Sequence, residues 1–232
     1  MKIVYFFKSF ILKAGMERIL SDKMNYLVKE YGYDVTFITY EQGNHPMAFP
    51  LDERVKVIDL NVRYFKIFEM NIFKRFIAKY KKLNLLKKKL HDTLNNINPD
   101  CVVVSTYDFD KFDTILSLPY RFIVESHICI SDIQQEKRQN NLITKHFAKK
   151  LDDCHFRKLA NAKCLVSLTD ADKDNWVNHI KIPIVIIPNM VTNFPNTIYT
   201  YNKRPNRILS AGRLTKQKGY DFLLQAWARI SK

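Results

Sequence analysis

An α/β fold, with a parallel sheet covered by helices on both faces, is what this chain of 232 residues predicts. Two observations carry that expectation. Short apolar runs rich in β-branched residues recur without polar alternation, as in strands buried on both faces. Between them lie longer stretches whose apolar residues repeat at helical spacing, the alternation that builds parallel sheets from strand–helix units.

The elements follow in order. Ile3 to Phe7 reads as a strand, and Glu17 to Tyr31 as a helix ended by Gly32. Val35 to Thr39 is the next strand and Val55 to Leu60 the third, after a turn-rich stretch with Gly43, Pro46 and Pro50. Phe65 to Asn96 reads as one long helix, and Pro99-Asp100 leads into the strand Cys101 to Ser105. Phe122 to Glu125 is a strand, Asn141 to Asn161 a helical stretch and Cys164 to Leu168 a strand. Ala171 to His179 is a short helix, and Ile184 to Ile187 a strand closed by Pro188-Asn189. Asn193 to Pro205, with its prolines and asparagines, reads as a linker. Beyond it, Arg207 to Ala211 reads as a strand entering a glycine turn, and Tyr220 to Ile230 as a helix. The expected organisation is a Rossmann-like domain over residues 1–200 and a strand–helix unit of an incomplete second domain over 201–232. One strand and one helix cannot bury their own apolar faces.

Composition narrows the class. Hydrophobic content of 47% with only 5 glycines supports a packed core and argues against disorder. Cys101, Cys129, Cys154 and Cys164 show no paired spacing, which suits a reducing cytoplasm. The apolar start is interrupted by Lys8 and no small-residue cleavage site follows, so a secretory signal is not expected. No run is long enough to span a bilayer.

The net charge of +15 is concentrated. Between Arg63 and Lys89 there are ten Lys or Arg and one acid, Glu69. Phe65, Phe68, Ile72, Phe73 and Phe76 lie among them at helical spacing. The plain reading is a helix covering the sheet with a solvated lysine face. The sharper one is peripheral contact with an anionic membrane at its cytoplasmic face, or with an acceptor, through Arg63, Lys66, Lys74, Arg75, Lys81 and Lys82. Nucleic acid is not expected as a partner, because no helix-turn-helix, zinc-finger or RNA-recognition signature is present.

The chemistry-bearing residues lie at strand ends, where parallel sheets bind ligands. In Gly212-Arg213-Leu214 and Lys218-Gly219, a glycine turn before a helix carries a guanidinium and an ammonium, a combination suited to a diphosphate. Gly15 lies between the first strand and first helix, where a backbone can approach a phosphate closely, or simply turn. His127 directly follows a strand, placed for hydrogen bonding to a ligand or for proton transfer, and Glu125 either orients its ring or faces away. Asp108-Phe109-Asp110 has a spacing used to hold metal on nucleotide diphosphates, but nothing nearby completes an oxygen cage, so no metal is expected. His146, Cys154 and His155 lack zinc-ligand spacing.

In this order, Ala14-Gly15-Met16-Glu17-Arg18, Glu125-Ser126-His127, Ile187-Pro188-Asn189, Gly212-Arg213-Leu214 and Lys218-Gly219 make the chain resemble the family 4 glycosyltransferases of GT-B fold. The resemblance implies transfer of a sugar from a nucleotide-diphosphate donor to a glycan or lipid-linked acceptor, with retention and without a metal or other cofactor. It implies that Gly15, Gly212, Arg213 and Lys218 bind the donor diphosphate and that His127 is catalytic, near the reacting centre. It also implies a cell-envelope polysaccharide role. Family members carry a further nucleotide-binding segment with a pair of glutamates, which does not occur before Lys232. The expectation is therefore a piece of a longer enzyme, with little activity alone. The competing expectation is a non-catalytic Rossmann-like module held on anionic membrane by its basic helix.

Overall fold

Five consecutive buried residues, Ile3 to Phe7, make β1 (Lys2–Phe7) an interior strand, buried on both faces. The computed structural model describes residues 1–69, 71–127, 156–191 and 208–230. The other strands are β2 (Asp34–Thr39), β3 (Lys56–Asp59), β4 (Cys101–Ser105), β5 (Phe122–Glu125), β6 (Cys164–Ser167) and β7 (Ile184–Ile186). Among the described residues they form one sheet in the order β3-β2-β1-β4-β5-β6-β7, with every pairing parallel. The order reverses between β1 and β4. Ligands of open parallel sheets bind outside the carboxyl ends of the strands near such a switch point.

Alternation along β1 sends side chains to two cores. Val4 and Phe6 face a cluster with Leu86, Leu90, Leu94, Phe112 and Trp176. Those residues come from α2 (Ile72–Ile97), α3 (Phe112–Ile115) and α4 (Asp170–Val177). Ile3, Tyr5 and Phe7 face a second cluster with Leu20, Met24 and Val28 of α1 (Gly15–Tyr31). The sheet is therefore covered on both faces, as the continuous apolar strands require.

Helix ends follow local chemistry. Gly32 adopts φ +62°, and the cap returns backbone N–H groups to Leu27 and Val28, so α1 stops where glycine permits a left-handed turn. The long helix expected from Phe65 is two pieces. Tyr64–Glu69 is a 3₁₀ helix, and α2 starts afresh behind Asn71, whose side chain accepts from the Lys74 N–H at 3.0 Å. Asn71 is an N-cap that periodicity alone overlooks, because the apolar spacing runs on across it.

The chain divides into two compact units, Met1–Thr192 and Asn193–Lys232. In the second, Lys216–Lys218 forms a 3₁₀ turn ended by Gly219 at φ +63°, followed by α5 (Tyr220–Ile230). Ile208 to Ala211 does not form the expected strand. A strand needs a neighbour to take its N–H and C=O groups, and every strand among the described residues belongs to the sheet of the first unit. Leu209, Leu214, Phe222, Leu224 and Ile230 are accordingly exposed. Cys129, His146, Cys154, His155, the helix expected before residue 156 and the linker 193–205 lie outside the described residues.

Candidate active site

The carboxyl ends of β1, β4 and β5 carry the first unit's candidate residues. Ser105 ends β4 and donates its hydroxyl to the Met16 sulfur at 3.5 Å, setting the first turn of α1 beside that strand end. Gly15 is the first residue of α1. Ala14 before it is extended and supplies no side-chain cap. A Cβ built on Gly15 would meet nothing within 4 Å, leaving the approach to that turn open.

Ser105 is in register with Glu125, the last residue of β5. Glu125 is buried, and its two oxygens have different partners. Lys23 of α1 donates to Oε1 at 3.0 Å, and His127 donates from Nε2 to Oε2 at 2.8 Å. Burial alone would raise the carboxyl's proton affinity. The His127 hydrogen bond and the Lys23 charge outweigh it and hold Glu125 below the usual carboxylate range. As a carboxylate it only accepts, so the proton of a neutral His127 sits on Nε2. Nδ1 is buried and has no hydrogen-bond partner among the described residues. Glu125 thus orients the ring, deciding between the two alternatives left by the sequence.

The backbone ahead of His127 is held separately. Ser126 N–H donates to the Val166 carbonyl at 2.8 Å. Trp176 Nε1 donates to Ser126 Oγ and to Asp172 Oδ2, each at 3.1 Å, and the Ser126 hydroxyl also donates to Asp172 at 3.3 Å. Asp172 is in place because α4 is capped by Thr169, whose hydroxyl accepts the Asp172 N–H. The Lys23–Glu125 pair lines a cavity of about 220 Å³ together with Tyr5, Tyr26, Leu27, Ile187, Pro188 and Met190. The Tyr5 phenol is pushed far up, first by burial and then by the charge of Glu125, and stays neutral.

The remaining candidates divide between the two units. Gly212, Arg213 and Lys218 lie in the second, Arg213 and Lys218 both exposed and neither in an ion pair among the described residues. A Cβ on Gly212 would lie 3.0 Å from the Tyr220 hydroxyl, so glycine leaves this close approach unobstructed. Lys66, Lys74 and Lys81 are exposed, and Arg75 is half-buried. Lys82 turns back to donate to the Val62 carbonyl, and Lys89, two turns on, donates to the Leu60 carbonyl at 2.7 Å. Arg63, at φ +54°, lays its guanidinium over Gly43. Asp108 of the Asp-Phe-Asp stretch is buried, accepts from the Tyr40 hydroxyl at 2.6 Å and lies 3.7 Å from the Lys111 ammonium. Among the described residues no three His, Cys, Asp or Glu side chains cluster as a metal site would need.

Sequence reasoning passed over Lys23, Ser126, Asp172 and Trp176. Lys23 sits 102 residues from Glu125, and no local pattern marks the pair.

Two curated proteins align along this chain. A glycosyltransferase of Haemophilus influenzae, itself uncharacterized, is 28% identical over 236 residues, taking in all of this chain and 58% of that protein. The amylovoran biosynthesis glycosyltransferase AmsD of Erwinia amylovora is 22% identical over 232 residues, covering 94% of this chain and 56% of its own. Among solved structures, the lipopolysaccharide outer core galactosyltransferase WaaB superposes with a TM-score of 0.56 at 13% identity, over 89% of this chain and 50% of that one. TcCGT1 in complex with UDP superposes with a TM-score of 0.53 at 10% identity, over 86% of this chain and 53% of that one. The chain shares the Rossmann-like fold of the GT-B glycosyltransferases. No family profile matches it. It spans a little over half the length of the curated relatives it matches.

Proposed function

We propose that the protein is a glycosyltransferase of the family 4 type, moving a sugar from a nucleotide-diphosphate donor to a glycan or lipid-linked acceptor with retention. The observation that carries this reading is the alignment of the whole chain with a glycosyltransferase of known name class, over a fold that glycosyltransferases share. In this reading the first unit is the acceptor side and the second begins the donor side. Arg213 and Lys218 neutralise the diphosphate as the sugar–phosphate bond breaks, stabilising charge that develops on the leaving group. The amides around Gly212 approach the diphosphate oxygens, and the open turn at Gly15 is the first unit's own candidate for a phosphate. His127 offers Nδ1 to a hydroxyl of the transferred sugar or the acceptor. No metal or other cofactor is required, since both cations are supplied by side chains.

The test uses a version of the protein extended to the length of its relatives. Donor consumption and glycan product are followed with panels of nucleotide sugars. Arg213→Ala and Lys218→Ala should each lower transfer about 100-fold or more. Full activity in both variants refutes the assignment.

A membrane-contact reading is favoured by one surface of α2. Phe76, Ile77 and Tyr80 are exposed there beside exposed Lys74, Lys79 and Lys81. Apolar side chains ringed by ammonium groups suit the headgroup layer of an anionic bilayer. Among the described residues no helix is long and apolar enough to cross a membrane. A peripheral position at the inner face, for polysaccharide synthesis from lipid-linked acceptors, agrees with this reading.

A further inference from the structure

We propose that Lys23 is a positioning residue, which acts through Glu125 to preset His127 as a hydrogen-bond acceptor at Nδ1. The inference rests on the preceding assignment of His127 to the ligand side, but its geometry stands by itself. Lys23 and Glu125 are both nearly inaccessible, and their 3.0 Å contact is an ion pair withdrawn from solvent. A buried carboxylate that lacks a cation either takes up a proton itself or leaves one on a neighbouring imidazole, and the imidazole, the more basic of the two, is where the proton settles while the pair shares a hydrogen bond. The ring would then carry N–H on both nitrogens, and Nδ1 would become a donor.

Lys23 removes that need. With an ammonium already on Oε1, Oε2 needs only a hydrogen bond from the ring and no second cation. The lone pair at Nδ1 is thereby preserved, and Nδ1 is buried without a partner among the described residues. A group with a lone pair and no donor attached accepts from a hydroxyl, the commonest donor on a sugar. Among the described residues the other titratable groups facing the trio are Tyr5 from β1, Tyr26 from α1 and Asp172 from α4, the last reached through Ser126. Burial holds Tyr5 in its neutral form, and Tyr31 beside it pushes the Tyr26 phenol up as well. Asp172 is engaged by Ser126, Ser167 and Trp176. Lys23 is therefore the cation that decides the charge carried by the ring.

The experiment is histidine ¹⁵N NMR on the 232-residue chain, with the His127 signals assigned by their loss in His127→Gln. The wild-type ring should titrate from a neutral form protonated at Nε2. In Lys23→Met the midpoint should rise by about one pH unit or more, and Nδ1 should carry a proton where the wild type has none. Lys23→Arg, which keeps the charge, should restore the wild-type signature. A neutral wild-type ring protonated at Nδ1 overturns the proposal, and that measurement needs no variant to fold. So does a folded Lys23→Met chain with an unchanged midpoint and tautomer. Because neither donor nor acceptor is added, failure of this relay is distinguished from failure of the sugar-transfer reading.

Discussion

At the scale of single residues, the Lys23–Glu125–His127 trio combines three groups that would each be costly to bury alone. Breaking a buried ion pair by removing one partner leaves an uncompensated charge, at a cost of about 3 kcal/mol or more. Lys23→Met and Glu125→Gln should each lower the urea-unfolding free energy by about that amount, while Lys23→Met with Glu125→Leu should recover most of it. The sign of the pH dependence follows from the depressed Glu125 carboxyl. Stability from this group is present above its unfolded value, near pH 4.3, and is lost as pH falls from there through the lower folded value. Thermal melts below about pH 4.3 should therefore fall less steeply in Glu125→Gln than in the parent. A parallel acid limb in the two proteins contradicts this. Of this trio only His127, and Glu125 as one of two alternatives, were legible in the sequence. A histidine after an apolar strand is visible as a candidate, whereas its orienting partners come from a distant helix and from a glutamate whose facing depends on register.

Individual elements were more legible than their joints. Continuous apolar runs fixed the positions of β1, β2, β4, β5 and β6 to within a residue or so, because strands buried on both faces carry few polar interruptions, and β7 was placed as closely by its β-branched residues although it is only partly buried. The helix around α2 was read as unbroken because its apolar spacing continues through residue 71, while one side-chain hydrogen bond at Asn71 restarts it. Asn71→Ala should cost about 1 kcal/mol in equilibrium unfolding, with helicity lost at the start of α2. An unchanged stability would mean that packing alone positions this helix. The stretch from Leu60 to Arg63 has its own fastenings, with Lys82 and Lys89 on its carbonyls and Leu60 N–H on the Thr39 carbonyl. Two of the basic residues are thus tied to backbone, a distinction that composition cannot draw. The missing strand over 208–211 teaches the complementary lesson: an apolar run marks what wants to be buried, and becomes a strand only where a neighbour exists.

At the scale of the whole molecule, each unit exposes an apolar surface of its own. The first unit exposes Phe76, Ile77 and Tyr80 among lysines on α2, and the second exposes most of the apolar residues of α5. Sedimentation with vesicles of anionic phospholipid checks the first surface. Binding should weaken steeply with added salt and on charge reversal at Lys74, Lys79 and Lys81, by about 1 kcal/mol per cation removed. Binding that is equal on neutral vesicles, or insensitive to those reversals, removes the membrane reading. The two tryptophans fall one in each unit, Trp176 fully enclosed and Trp227 44% exposed. Their emission differs accordingly, since an indole sealed among apolar groups and tied to a serine and a carboxylate senses a dry, fixed environment and one on an open helix senses water. Intrinsic fluorescence with a water-soluble quencher therefore reads the two halves through separate native dyes: a covering placed over α5 dims the quenching of one, while disturbance of the backbone ahead of His127 reddens the other.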